Sequence, residues 1–252
     1  MNISSNLKDK YDSEYTDYSN TWREVNAKKK AENILKILPE ETIFKKVLEI
    51  GCGDGSILKY LDSSKEIKEL YAVDISKSAV KRTKERRIKK LRKVSEYDGC
   101  NIPYNDKDFD LSYCSHVLEH VEYPRLLLRE IARVSKLQIF EIPIDFSFSV
   151  DKHLKHFLSY GHINIWTPST FRFLLESEGF DIINEDFSFY SKDFEKIAYK
   201  GRSFKKLKRF IRKSVISTIP YLKHIYPDSY VVLCKHSGRS EERRVGKECR
   251  SR

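Results

Sequence analysis

Between Glu49 and Gly55 the chain reads Glu-Ile-Gly-Cys-Gly-Asp-Gly, three glycines following an apolar run, Val47 to Ile50. Glycine lets a chain turn sharply after a strand and lets a ligand lie close against the main chain. A helix beginning at Ser56 would offer that ligand its unpaired N–H groups. Asp74 follows 23 positions after Gly51, near the roughly 20-residue offset at which an acid grips a pair of ribose hydroxyls in nucleotide-binding folds. A dinucleotide pyrophosphate wants G-x-G-x-x-G. Here the third glycine, Gly55, comes one place early and Ser56 stands at the final position. Glu49 and Asp54 bring negative charge beside the turn. That suits a ligand carrying an amine and a sulfonium better than it suits an anion. Three glycines in an ordinary loop are the plain alternative, and the placement between strand and helix with Asp74 downstream argues against it.

A second set of residues could move protons. A hydroxyl acceptor needs a base, and His116, His120, His153, His156 and His162, with Glu141 and Asp145, are the candidates. Of these His120, His162 and His156 are the first choices, although His120 is equally suited to orienting backbone. His153, His156 and His162 could instead hold a metal. Their spacing matches no known ligand pattern, so no metal is expected. Cys52, Cys100, Cys114, Cys234 and Cys249 include no CxxC pair, and the expectation is reduced thiols in a cytoplasm.

These groups need a scaffold. Residues 1–21 are polar and read as an N-terminal arm. Trp22 to Leu38 has a helical stripe of Val25, Ala31, Ile34, Leu35 and Leu38, stopped by Pro39. Val47–Ile50 and Leu70–Ile75 suit buried parallel strands, with a helix from Ser56 to Leu61 between them. Lys77 to Leu91 reads as a very basic helix. Phe109–Cys114 and Leu137–Ile142 read as strands around a helix from Tyr123 to Val134, which turns Leu126, Leu127, Ile131 and Val134 inward. Pro168 to Glu178 is a helix closed by Gly179. Phe180–Phe187 and Tyr230–Cys234 are late strands. Strands alternating with helices at this spacing predict an α/β fold: a Rossmann-like, doubly wound, mostly parallel seven-stranded sheet with helices on both faces.

The ordered motifs resemble those of class I S-adenosylmethionine (SAM)-dependent methyltransferases of the type 11 or 23 domain. VLEIGCGDGSILKYL looks like their first motif and LYAVDIS like their second. Asp98 to Asp110 looks like their acid, Pro-aromatic and Phe-Asp segment. Ser115 to Pro124 looks like the motif at the end of the fourth strand, and Gly161 to Phe180 like the C-terminal block. The likeness spans about residues 45–190. It implies SAM as cofactor, with Glu49, Gly51 and Gly53 at its methionine end and Cys52 and Gly55 as further cofactor-binding residues. It also implies Asp74 on the ribose, Ile75 against adenine, Asp98 and Gly99 at the adenine amine, and Ser115 near the methyl group. Cys114-Ser-His-Val117 stands where enzymes acting on amide or exocyclic amino nitrogen often carry Asn/Asp-Pro-Pro-aromatic. This points away from base-amino methylation. A small-molecule, sugar or glycan-precursor acceptor, methylated at oxygen, is the expectation. RNA methylation and a non-catalytic SAM-binding module are the alternatives.

The chain of 252 residues is 40% hydrophobic, enough to bury a sizeable core. It has no apolar run of the roughly 20 residues a membrane span needs, and its start, MNISSNLKDKYDSEY, predicts no secretory leader. A cytoplasmic protein is expected. The last residues, 238–252, resemble from Arg239 onward a translated sequencing adapter and read as a non-native tail. That tail holds six Arg or Lys against three Glu, so the body keeps +8 of the net charge of +11. Within the body, residues 22–237 read as one catalytic domain carrying a basic amphipathic helix at about 201–219. Arg202 to Lys213 has seven Lys or Arg around a stripe beginning Phe204, Leu207, Ile211. Such a helix offers a surface to an anionic membrane; a core-packed helix with a solvated back is the plainer reading, and nucleic acid the less favoured one.

Overall fold

The computed structural model describes residues 21–146, 150–159, 161–189, 191, 193–194 and 227–238. The arm at 1–20, the basic segment at 201–219 and the tail from 239 onward lie outside the described residues.

Seven strands form one sheet. They are β1 (Phe44–Ile50), β2 (Ile67–Asp74), β3 (Leu91–Glu96), β4 (Phe109–Ser115), β5 (Ser135–Pro143), β6 (Phe180–Ser188) and β7 (Ser229–His236), in the order β3-β2-β1-β4-β5-β7-β6. The first five are parallel, and β7 runs antiparallel between β5 and β6. The order reverses at β1, so the C-terminal ends of β1 and β4 diverge over a crevice where α/β folds bind ligands.

Strand alternation splits the core into two layers. Val47, Ala72, Leu111, Tyr113, Ile139, Val231 and Leu233 face α1 (Thr21–Ile37), α2 (Ser56–Leu61) and α3 (Lys77–Glu85). Leu48, Ile50, Val73, Cys114, Phe140, Tyr230 and Val232 face α4 (Pro124–Val134) and a later helix at Pro168–Ser177. The short helix α5 (Leu154–Ser159) precedes that later helix, which is α6. Thr167 starts α6 with a reciprocal capping box to Thr170, and Pro168 occupies the first turn.

Two local expectations are corrected. The basic helix ends at Glu85 rather than at Leu91. Arg87 adopts φ 52°, and Asp62 accepts the Lys89 and Lys90 N–H groups at 3.2 and 2.8 Å. Leu91–Glu96 then pairs with β2. Edge pairing on the sheet overrides the helix propensity of lysine and arginine here. In α4, Leu126 is 39% exposed, and Leu128 takes the inward place beside Leu127, Ile131 and Val134. Among the described residues no helix is long and apolar enough to cross a membrane, and Cys52, Cys100, Cys114 and Cys234 form no disulfide.

Candidate active site

The glycine turn leaves β1 where the sheet order reverses. Gly51 N–H donates to the Val73 carbonyl at 2.8 Å, and Gly51, Gly53 and Gly55 all have positive φ, at 73°, 53° and 75°. A Cβ on Gly51 would lie 2.4 Å from Val117 Cγ2, and one on Gly55 would lie 2.9 Å from Thr83. The turn is therefore glycine by packing as well as by backbone conformation. Asp74 holds it from the end of β2: its carboxylate accepts Gly53 N–H at 2.7 Å and Ser76 N–H at 2.9 Å. Asp54 is paired away from the turn, accepting from Arg86 at 2.7 Å and from Ser56 N–H at 3.1 Å. Burial pushes its carboxyl up, but Ser56 and Arg86 outweigh that and hold it below its usual range. The charge expected from Asp54 beside a ligand is thus neutralised by Arg86.

Beside the turn lies a cavity of about 590 Å³, a size that suits a cofactor-like ligand. Gly51, Cys52 and Gly53 form one wall. Glu49 lines it from β1, is 1% exposed, and its Oε2 has no hydrogen-bond partner. Burial drives the Glu49 carboxyl well above its usual range, and Asp74 adds to the rise. Lys30 of α1 also lines the cavity. Burial lowers its ammonium, opposed by the carboxylates of Glu141, Glu119 and Glu49.

A buried chain of hydrogen bonds fixes the next wall. Ser115 Oγ donates to Glu141 Oε2 at 2.6 Å, Asn33 Nδ2 donates to Glu141 Oε1 at 2.7 Å, and Ser188 Oγ donates to Asn33 Oδ1 at 2.9 Å. This clamps α1 over the ends of β4, β5 and β6. The third wall holds His116, Glu119, His120, Asp145 and His162. His116 follows β4 at φ 55°, a conformation costly for a non-glycine residue and frequent at functional sites. Burial lowers its imidazole well below the usual range, helped by Lys30 and the neighbouring histidines. Glu119 is raised to about 7, chiefly by burial.

Residues 48–138 match the family model described as a methyltransferase domain. The match covers residues 48–138 of the 252, and over that segment the chain has a methyltransferase domain. YrhH of Bacillus subtilis, which bears a provisional methyltransferase name, is 32% identical over 105 residues, 40% of this chain and 57% of that protein. The chain spans 36 to 57% of the length of the curated relatives it matches. Among solved structures, a SAM-dependent methyltransferase of Thermotoga maritima aligns over 92% of this chain and 99% of its own, with TM-score 0.62 and 17% identity. A chain from the complex of the Haloferax volcanii Trm112 methyltransferase activator with its provisionally assigned methyltransferase aligns over 90% and 97%, with TM-score 0.66 and 14% identity. These structures share the fold.

The cavity brings together Glu49, Gly51, Cys52, Gly53, Ser115, His120 and His162. Asp74 joins it through Gly53, and Gly55 supports the turn from behind. Ile75 and the buried Gly99, at φ 81°, lie outside the cavity lining. So does Asp98, whose carboxylate closes its own loop by accepting Cys100 and Asn101 N–H at 2.8 and 2.6 Å. His156 and His153 stand exposed on and beside α5, away from the cavity. Sequence reasoning misses Lys30, Asn33 and Glu119. The first two carry a signal: Arg23, Asn26, Lys30 and Asn33 form a polar row at helical spacing beside the apolar row Ala27, Ala31, Ile34. Glu119 adjoins the candidate His120, and its burial follows only from the fold.

Proposed function

We propose that the chain binds SAM in the cavity against the glycine turn and directs its methyl group to an oxygen of a small-molecule, sugar or glycan-precursor acceptor. Glu49 carries the reading. A carboxylate oxygen on a residue 1% exposed and without a partner is costly unless a cation joins it. The amino-acid end of SAM offers an ammonium for Glu49 and a carboxylate for Lys30, which lines the same cavity. The residues present fit the cofactor.

SAM supplies a methyl group already activated on a sulfonium. The protein's part is alignment and exclusion of water. Gly51 and Gly53 present bare main chain to the ligand. Asp74, held in place by Gly53 and Ser76, takes the ribose hydroxyls, and the adenine extends past the cavity lining towards Ile75, Asp98 and Gly99. Ser115 is fixed at the end of β4 by Glu141, where the methyl group would lie. His120 and His162 stand on the acceptor side.

Calorimetric titration with S-adenosylhomocysteine (SAH), with NAD in parallel, tests the reading. Micromolar SAH affinity, lost in Asp74→Ala, is expected. A folded chain that ignores SAH, or takes NAD instead, overturns it. Methyl transfer from labelled SAM to a sugar hydroxyl supports the acceptor class. RNA binding that falls steeply with salt and yields methylated RNA would replace it.

A further inference from the structure

We propose that Glu119, His120 and His162 form a binding site for one divalent first-row transition ion, with Asp145 and the Gly161 carbonyl as positioning groups. Each of the three side chains offers a ligand atom within 4.8 Å of the others. Glu119 is 1% exposed, and neither of its carboxylate oxygens has a hydrogen-bond partner. Its Oε1 lies 3.9 Å from His120 Nε2 and 3.7 Å from His116 Nδ1. Those separations are too long for hydrogen bonds. They exceed by under about 1 Å the roughly 3.0–3.4 Å between neighbouring ligands that sit about 2.1 Å from a common ion.

The orientation of both imidazoles supports ligation. His120 Nδ1 donates to the Gly161 carbonyl oxygen at 3.0 Å, which makes Nε2 the ligating nitrogen. His162 Nδ1 bonds the Asp145 carboxylate, which does the same for its Nε2. A carboxylate or carbonyl behind each ring is the usual support of metal-bound histidine. The two segments are stitched together independently of any ion. Ile163 and Asn164 N–H donate to the Glu119 carbonyl at 2.9 and 3.0 Å, and Asn164 Nδ2 donates to the Val121 carbonyl at 2.7 Å. His162 is thus held opposite the Glu119–His120 turn although it lies 42 positions away from His120.

Two imidazoles and one carboxylate select Zn²⁺, Mn²⁺, Co²⁺ or Fe²⁺ over Mg²⁺ and Ca²⁺. Three protein ligands leave positions open on the ion. Since all three residues line the cavity, an acceptor oxygen would fill one. On the methyl-transfer reading, the ion takes over the task expected of a histidine base, easing release of the acceptor hydroxyl proton to solvent.

The test is titration of the EDTA-treated full chain with Co²⁺, followed by its visible d–d absorption, then Zn²⁺ competition, with no SAM present. One Co²⁺ per chain with nitrogen and oxygen ligation, displaced by Zn²⁺, is expected. Glu119→Gln and His162→Asn should each abolish it, Asp145→Asn should weaken it roughly 10- to 100-fold, and His153→Ala should leave it unchanged. Thermal melts establish that each variant folds. If one of the two ligand variants fails to fold, the other decides the matter. Absent binding, binding that survives the ligand variants, or a spectrum showing thiolate ligation overturns the proposal. Metal binding without SAH binding would sink the methyl-transfer reading alone.

Discussion

Asp74 accepts the N–H of Gly53 at 2.7 Å, tying the end of β2 to the middle of the glycine turn. The same carboxylate takes Ser76 N–H at 2.9 Å, so it organises the turn and the start of α3 together. Hydrogen bonds to a charged group are worth about 1.5–3 kcal/mol. Asp74→Ala should therefore lower unfolding free energy by about that amount. Asp74→Asn, which keeps one acceptor oxygen but turns an NH2 towards the other N–H, should lose at least half as much. Urea unfolding of both variants checks this, and an Asp74→Asn loss under half that of Asp74→Ala would overturn it.

At Gly51 two penalties oppose any side chain: its φ of 73° and the 2.4 Å approach of a Cβ to Val117 Cγ2. Gly51→Ala should cost about 1–3 kcal/mol from overpacking, with backbone strain in addition. Pairing it with Val117→Ala should relieve the clash and leave the strain. In a double-mutant cycle, the two substitutions should couple by at least about 0.5 kcal/mol. Strict additivity would mean the turn relaxes away from Val117 at no cost.

Lys30 and Glu49 can be separated from the rest of the cavity by choice of ligand. SAH has an amino-acid end and methylthioadenosine lacks one. Lys30→Met should weaken SAH at least 10-fold and leave methylthioadenosine within about 2-fold, since a lost charged hydrogen bond is about 1.5–3 kcal/mol. Equal loss for both ligands would place the effect of Lys30 on the fold and remove it from cofactor recognition.

The glycine turn and Asp74 are legible in the sequence because backbone conformation restricts residue type. Few residues but glycine tolerate positive φ, and an acid at the end of the second strand has a fixed offset from the turn. The central parallel strands are legible because burial on both faces leaves continuous apolar runs such as Leu70 to Val73. β3 is not, since an edge strand written Leu-Arg-Lys-Val-Ser-Glu has the composition of a solvated helix and is set by its neighbour β2. The wall made by Glu119, His120 and His162 is not legible either. His162 meets the other two only because its loop bonds the Glu119 carbonyl, a contact with no trace in local spacing.

Acid stability should depend on Glu178. It follows α6, its side chain is 2% exposed, and it accepts from Arg125 and from Arg129 Nε at 2.6 Å. Burial pushes its carboxyl up, but the two guanidiniums outweigh this and hold it below the usual range. A depressed folded pKa stabilises the protein above the unfolded value, about 4.3. That contribution is lost as pH falls through the lower folded value. Both arginines are about half exposed, so solvent screening holds the gain to at most about 1 kcal/mol at pH 7. Glu178→Gln should thus be less stable than the parent at pH 7, and the gap should close below about pH 4. Urea unfolding across that range measures it. A gap that stays constant with pH would mean Glu178 acts through packing alone, with its charge contributing nothing to the joint between α4 and α6.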